Sequence, residues 1–133
     1  VVVPRFLEAR GLDVSAELLP RLAGLDPEAH AVIVRIYQDE IGHVGIGSRW
    51  HRRWCADRGL DAEAHFRAVA GRHFAGQIPG PFPLDQPGRL AAGFSALELA
   101  FLEGSVAETN SARVSPGPTP PLHPNVVRLP GPV

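Results

Sequence analysis

Glu40 and His43 stand three residues apart in the run Asp39-Glu40-Ile41-Gly42-His43. On a helix, positions i and i+3 lie about 60° apart and roughly 4.5 Å along the axis, so both side chains can reach one ion. A carboxylate oxygen with an imidazole nitrogen suits iron, manganese or zinc. Asp39, one turn before His43, is a candidate acceptor for the ring's other nitrogen, which would fix its tautomer. The competing reading is a glutamate and a histidine that only satisfy each other in a helical core. Apolar residues at Ile33, Ile36, Tyr37, Val44, Trp50 and Trp54, with Gly47, form a line that also takes in positions 40 and 43. A carboxylate on a buried line is costly unless it is paired or binds a cation.

The element that must hold this pair is a long helix. Asp26 is a good N-cap, Pro27 suits the first helical position, and Glu28 favours the positive helix end. No proline follows until Pro79, and Gly59 is the expected stop. A helix of that length spans roughly 45 Å at about 1.5 Å per residue, and such helices belong in bundles. Before it, Pro4 to Arg10 read as the end of a helix stopped at Gly11. Asp13 or Ser15 then caps a short helix toward Ala23 that Pro20 limits or kinks. After it, a helix runs from an Asp61 cap through Glu63, Phe66, Val69 and Phe74. Gly76 to Gly88 reads as an extended Pro/Gly-rich loop. A last short helix starts at Ser95 and ends at Gly104, with Ser95 and Glu98 as a capping box and Phe94 stapled onto Leu99. The fold class is therefore all-α, with no strand pattern and no internal repeat.

Gly42, Gly45 and Gly47 each cost a helix about 1 kcal/mol against Ala. Close approach of a neighbouring helix, or room beside a metal, would account for them. Arg49, Arg52, Arg53 and Arg58 interleave with Trp50, His51 and Trp54, a pattern that can bind RNA by phosphate contact and stacking. The plainer reading puts both tryptophans on the core line and lets the arginines solvate the opposite face. His30, His65 and His73 are further candidate ligands, but single surface histidines are commoner than ligands. Cys55, the one cysteine, reads as a small buried thiol with no nucleophile's partner spacing.

The length of 133 residues allows one domain, and the net charge of -1 creates no global pull toward nucleic acid or membrane. All thirteen basic residues are Arg, so no single arginine argues for function by its type. A single cysteine excludes an internal disulfide and, with no apolar run of membrane-spanning length and no signal peptide, points to the cytoplasm. No Met is present, and Val1-Val2-Val3-Pro4 opens without a cap, as the tail of an element begun upstream would. Residues 104–133 hold seven of the fourteen prolines and no aromatic residue, so they read as a disordered tail behind a domain of residues 1–103.

Arg35-Ile36-Tyr37-Gln38-Asp39-Glu40-Ile41-Gly42-His43-Val44, Gly47-Ser48-Arg49-Trp50 and Pro4-Arg5-Phe6-Leu7-Glu8-Ala9-Arg10-Gly11-Leu12-Asp13 together resemble an uncharacterised bacterial ferritin-like family. Gly80-Pro81-Phe82 and Arg89-Leu90-Ala91-Ala92-Gly93-Phe94 match its C-terminal part. The resemblance covers roughly residues 3–103. It implies a di-iron carboxylate protein, distantly similar to tRNA-modifying hydroxylases, of which this chain is the C-terminal half: the third and fourth bundle helices plus short C-terminal helices. It implies metal ligation by Glu8, Glu40 and His43, with iron expected and manganese as the alternative. The implied chemistry is oxidation or hydroxylation of an unknown substrate. Three ligands in one chain are half a set, so a homodimer completing the four-helix bundle is expected. A non-catalytic helical interaction module is the alternative.

Overall fold

A computed structural model of the chain describes residues 2–74 and 82–104. Four helices, α1 (Val2–Leu22), α2 (Pro27–Ala56), α3 (Ala62–Phe74) and α4 (Gln86–Ala91), are followed by a fifth, α5, over residues 96–104. The described residues contain no strand. The fold is all-helical, as expected.

Local chemistry sets most helix starts. Asp26 accepts from the Ala29 amide at 2.9 Å and Pro27 opens α2. Asp61 accepts from the Ala64 amide at 2.7 Å ahead of α3. Ser95 and Glu98 exchange both capping-box bonds, at 3.0 and 3.1 Å. Each cap satisfies an amide that the first helical turn leaves without a partner.

The α1 and α2 helices form an antiparallel pair joined by a tight turn. Two close approaches fix their register: Gly11 of α1 against the Glu40 side chain, and Gly47 of α2 against Arg5. A Cβ at Gly47 would lie 3.3 Å from the Arg5 Cβ, so glycine is what lets α1 come this near. The core gathers Phe6, Ala9 and Leu12 of α1, Val44 of α2, Phe66 and Ala70 of α3, and Ala92, Phe94, Leu99 and Leu102 beyond. Phe94 and Leu99 both enter this cluster, in keeping with the expected staple.

Two buried ion pairs tie the C-terminal helices to α1. Arg5 donates to both oxygens of Glu98 at 2.8 and 2.7 Å, and Arg89 donates to both oxygens of Asp13 at 2.9 and 2.7 Å. The Phe94 ring stacks under Arg5, 3.9 Å from the guanidinium carbon, with Arg89 at 5.2 Å. Asp13 also accepts from the Asp85 amide at 2.8 Å. These are planar, bidentate contacts, the form in which a guanidinium is best satisfied away from water.

Three expectations are corrected. The first helix does not stop at Gly11: α1 is continuous from Val2 to Leu22, with Pro20 inside its last turn. Packing of Ala9, Leu12, Asp13 and Ser15 around Gly11 outweighs the roughly 1 kcal/mol that a mid-helix glycine costs. The Pro/Gly-rich stretch is not extended throughout. Residues 76–81 of it lie outside the described residues, but α4 begins at Gln86, held by the bonds from the Asp85 amide and Arg89 to Asp13. The buried face of α2 is also rotated from the expected line. Val44 is buried as expected, but its buried neighbours are Gly45, Ser48, His51 and Cys55, whereas Ile36 and Trp50 are 42% and 64% exposed. Trp50 therefore does not enter the core. The proline-rich tail beyond Gly104 lies outside the described residues.

Candidate metal centres

The expected ligands lie on one flank of the α1/α2 pair. Glu40 packs against Gly11, with the Gly11 Cβ position 3.4 Å from the Glu40 Cδ. Glu8 is one turn before Gly11, and His43 one turn after Glu40. The antiparallel register that pairs Gly11 with Glu40 and Arg5 with Gly47 brings Glu8 level with His43. Glu8 and His43 are exposed, and Glu40 is half-buried. The three do not form a group of donor atoms within 4.8 Å of one another. The Glu40 Oε2 is buried and has no hydrogen-bond partner among the described residues. A carboxylate oxygen in that position loses its water without compensation. Asp39 is exposed, and its carboxylate accepts from Arg35 Nε at 3.1 Å. Leu7, Ile36 and Trp50 are large, exposed apolar side chains on the same two helices. Nothing lies within 4 Å of a Cβ at Gly42, so the close approach of a neighbouring helix among the described residues does not explain it.

A second cluster lies farther along α2 and is already assembled. His51 and Cys55 are one turn apart on the buried face, and α3 brings His65 against them. His51 Nε2 is 3.0 Å from His65 Nδ1 and 3.4 Å from Cys55 Sγ. All three donor atoms lie within 4.8 Å of one another, the one such trio of His, Cys, Asp or Glu among the described residues. Burial lowers the His51 pKa to about 4, helped by the positive charge of Arg5. Burial also pushes the Cys55 thiol up, with Asp61 adding to the effect. His51 Nδ1 is buried and without a hydrogen-bond partner among the described residues. The Trp54 ring, half-buried, lies 5.0 Å from the His65 ring and carries Arg58 4.3 Å above it.

Residue-by-residue reading missed this trio. The available signal was the i, i+4 spacing of His51 and Cys55, which sets both on one helix face. What the spacing lacked was the third member, which arrives from another helix. His30 and His73 do not join either group. The interleaved arginines divide their work: Arg52 donates to the Gly93 carbonyl at 2.9 Å, and Arg53 pairs with Asp57. Arg49, Trp50 and Arg53 line a shallow surface hollow. No helix among the described residues is long and apolar enough to cross a membrane.

The model of the family described as "Protein of unknown function (DUF455)" matches residues 1–100. The chain is similar to an uncharacterized protein of Haemophilus influenzae, 37% identical over 102 residues, which cover 76% of this chain and 35% of that protein. It thus spans about a third of that curated relative's length. No solved structure matches it.

Proposed function

This chain belongs to the DUF455 family of proteins of unknown function, and from that premise we propose that α1 and α2 supply half of a carboxylate- and histidine-ligated two-metal centre in a ferritin-like bundle. The observation that carries the reading is the buried, unpartnered Oε2 of Glu40. Among the side chains of that flank it is a charged acceptor without a donor, and a cation is what it lacks. The donor set fits the group: two carboxylates, Glu8 and Glu40, and one imidazole, His43, suit iron first and manganese second. When bound, such a metal pair supplies dioxygen-dependent oxidation or hydroxylation.

The chain's own residues have definable tasks in this reading. Glu40 is held against Gly11, so its carboxylate is set by the α1/α2 contact and not by solvent. Glu8 and His43 remain open to the outside and can turn toward an ion. The missing carboxylate and Glu-x-x-His pair come from two further helices. A second copy of this chain would supply them by twofold symmetry, with Leu7, Ile36 and Trp50 covered in the same step.

The test is metal content with sedimentation. The full chain, expressed with iron and separately with manganese, should hold one metal per chain and sediment as a dimer. Glu40→Ala and His43→Ala should each lose the metal, and Cys55→Ser should keep it. A metal-free monomer, or iron indifferent to both substitutions, would instead leave Glu40 and His43 as parts of a non-catalytic helical module.

A further inference from the structure

We propose that His51, Cys55 and His65 form a separate site for a zinc-class divalent ion, built on α2 and α3 and independent of the Glu8, Glu40 and His43 flank.

Geometry is the first argument. An ion held tetrahedrally at about 2.0–2.1 Å from nitrogen and about 2.3 Å from sulfur sets its donor atoms roughly 3.3 Å (N to N) and 3.5 Å (N to S) apart. The two distances at His51 Nε2 are 3.0 Å to His65 Nδ1 and 3.4 Å to Cys55 Sγ, and the remaining edge is no longer than 4.8 Å. The trio is within a few tenths of an ångström of the spacing an ion imposes along both measured edges.

Proton counting is the second. His51 Nε2 has one lone pair or one proton, and it faces two partners. As an acceptor it serves either the Cys55 thiol or His65, not both well. As a donor to His65 Nδ1 it leaves the Cys55 proton unserved. Hydrogen bonding therefore satisfies one contact in each tautomer, in a place where His51 and Cys55 are each 1% exposed. An ion that displaces the Cys55 proton to solvent and takes the lone pairs of both imidazoles satisfies all three atoms at once.

Setting and access are the third. Arg5, the cation that acts most strongly on His51, is held by both oxygens of Glu98, so its charge is locally offset. A cavity of about 300 Å³, lined by Val2, Val3, His51, Trp54, His65 and Val69, opens onto the imidazole pair. It gives an ion an entry path and leaves room for a water or small anion as fourth ligand. One thiolate with two imidazoles is the donor set of a borderline-soft ion such as zinc, not of magnesium or calcium.

Cobalt(II) titration of the metal-stripped full chain tests the site. The expected result is one tetrahedral, sulfur-ligated ion per chain, read from its visible bands and a sulfur-to-cobalt charge-transfer band, both erased by added zinc; cobalt taken by the carboxylate flank adds no charge-transfer band. Cys55→Ser should abolish the charge-transfer band, and His65→Ala should weaken zinc binding by at least about tenfold, measured against a chromophoric chelator. His43→Ala and Glu40→Ala should change neither. Weak octahedral bands without charge transfer, or zinc affinity indifferent to His65→Ala, would overturn the proposal. The wild-type cobalt spectrum decides it even where Cys55→Ser does not fold. Because these readouts depend on sulfur, they are separable from any loss of the carboxylate-rich centre.

Discussion

From Glu40 to Cys55, α2 passes between two environments. At its middle, Glu40 leans on Gly11, with Glu8 and His43 exposed beside it and Leu7 and Ile36 uncovered. Toward its end, His51 and Cys55 are enclosed and meet His65 of α3. The first region has the more recognisable motif and the less complete site. The second has no motif and a closed triangle of donors. The difference lies in what each face of α2 has to pack on. One face is covered by α3 and the C-terminal segments, and the other, among the described residues, has only α1 beside it. A ligand motif records the chemistry of one helix, whereas a site needs the helix opposite.

The contrast between a carboxylate that holds the fold and one that is free to hold something else can be broken by substitution. Asp13, fully buried, serves Arg89, Arg10 and the Asp85 amide. Asp13→Ala should cost about 3–5 kcal/mol in urea unfolding, because Arg89 is left buried without its counter-ion. Glu40→Ala should cost under about 1 kcal/mol, since its buried oxygen makes no hydrogen bond that the fold would miss. Equal losses would mean that Glu40 is structural and that the two regions do not differ.

A smaller effect separates glycines on the same helix. Gly42→Ala should raise the melting temperature, by about 0.5–1 kcal/mol of added stability, because nothing lies within 4 Å of the new methyl group. Gly47→Ala should lower it, because the methyl group would press on Arg5, which is fixed by Glu98. If both substitutions stabilise, the α1/α2 approach at Gly47 is slack and the register linking Glu8 to His43 loses its anchor.

The least effect at neutral pH is an alkaline one. Tyr37 donates to Asp85 at 2.6 Å, and burial, then that hydrogen bond, raise its pKa from 10 to about 12. The folded chain therefore keeps a proton that the unfolded chain gives up between pH 10 and 12. Stability should be fully present below pH 10 and fall as the pH rises through that window. Tyr37→Phe should flatten this fall in pH-dependent unfolding curves, and an unchanged slope would assign it to other groups.

Much of this was legible in the residues. The Asp26-Pro27 start of α2, the Asp61 cap of α3 and the Ser95/Glu98 box are contacts within four residues, so local spacing carries them. The break expected at Gly11 did not occur because a glycine stops a helix only when nothing packs around it, and here α2 does. The apolar line on α2 passes through Ile33, Ile36, Tyr37, Val44, Trp50 and Trp54; Val44 is enclosed and Tyr37 packs on the core, yet the buried stripe otherwise runs through Gly45, Ser48, His51 and Cys55. Polar residues on that stripe meet partners 14 to 44 positions away: His51 faces His65, and Ser48 donates to the Ala92 carbonyl. No helical periodicity can report such partners.

The sequence by itself determined the helical class, the caps and the placing of Glu40 and His43 one turn apart, because these depend on neighbours along the chain. The tertiary structure alone decided which face of α2 is enclosed, that Glu8 lies level with His43, and that His51, Cys55 and His65 meet. Those outcomes rest on helix register and on ion pairs such as Arg5 with Glu98, 93 residues apart, which exist only once the helices have packed.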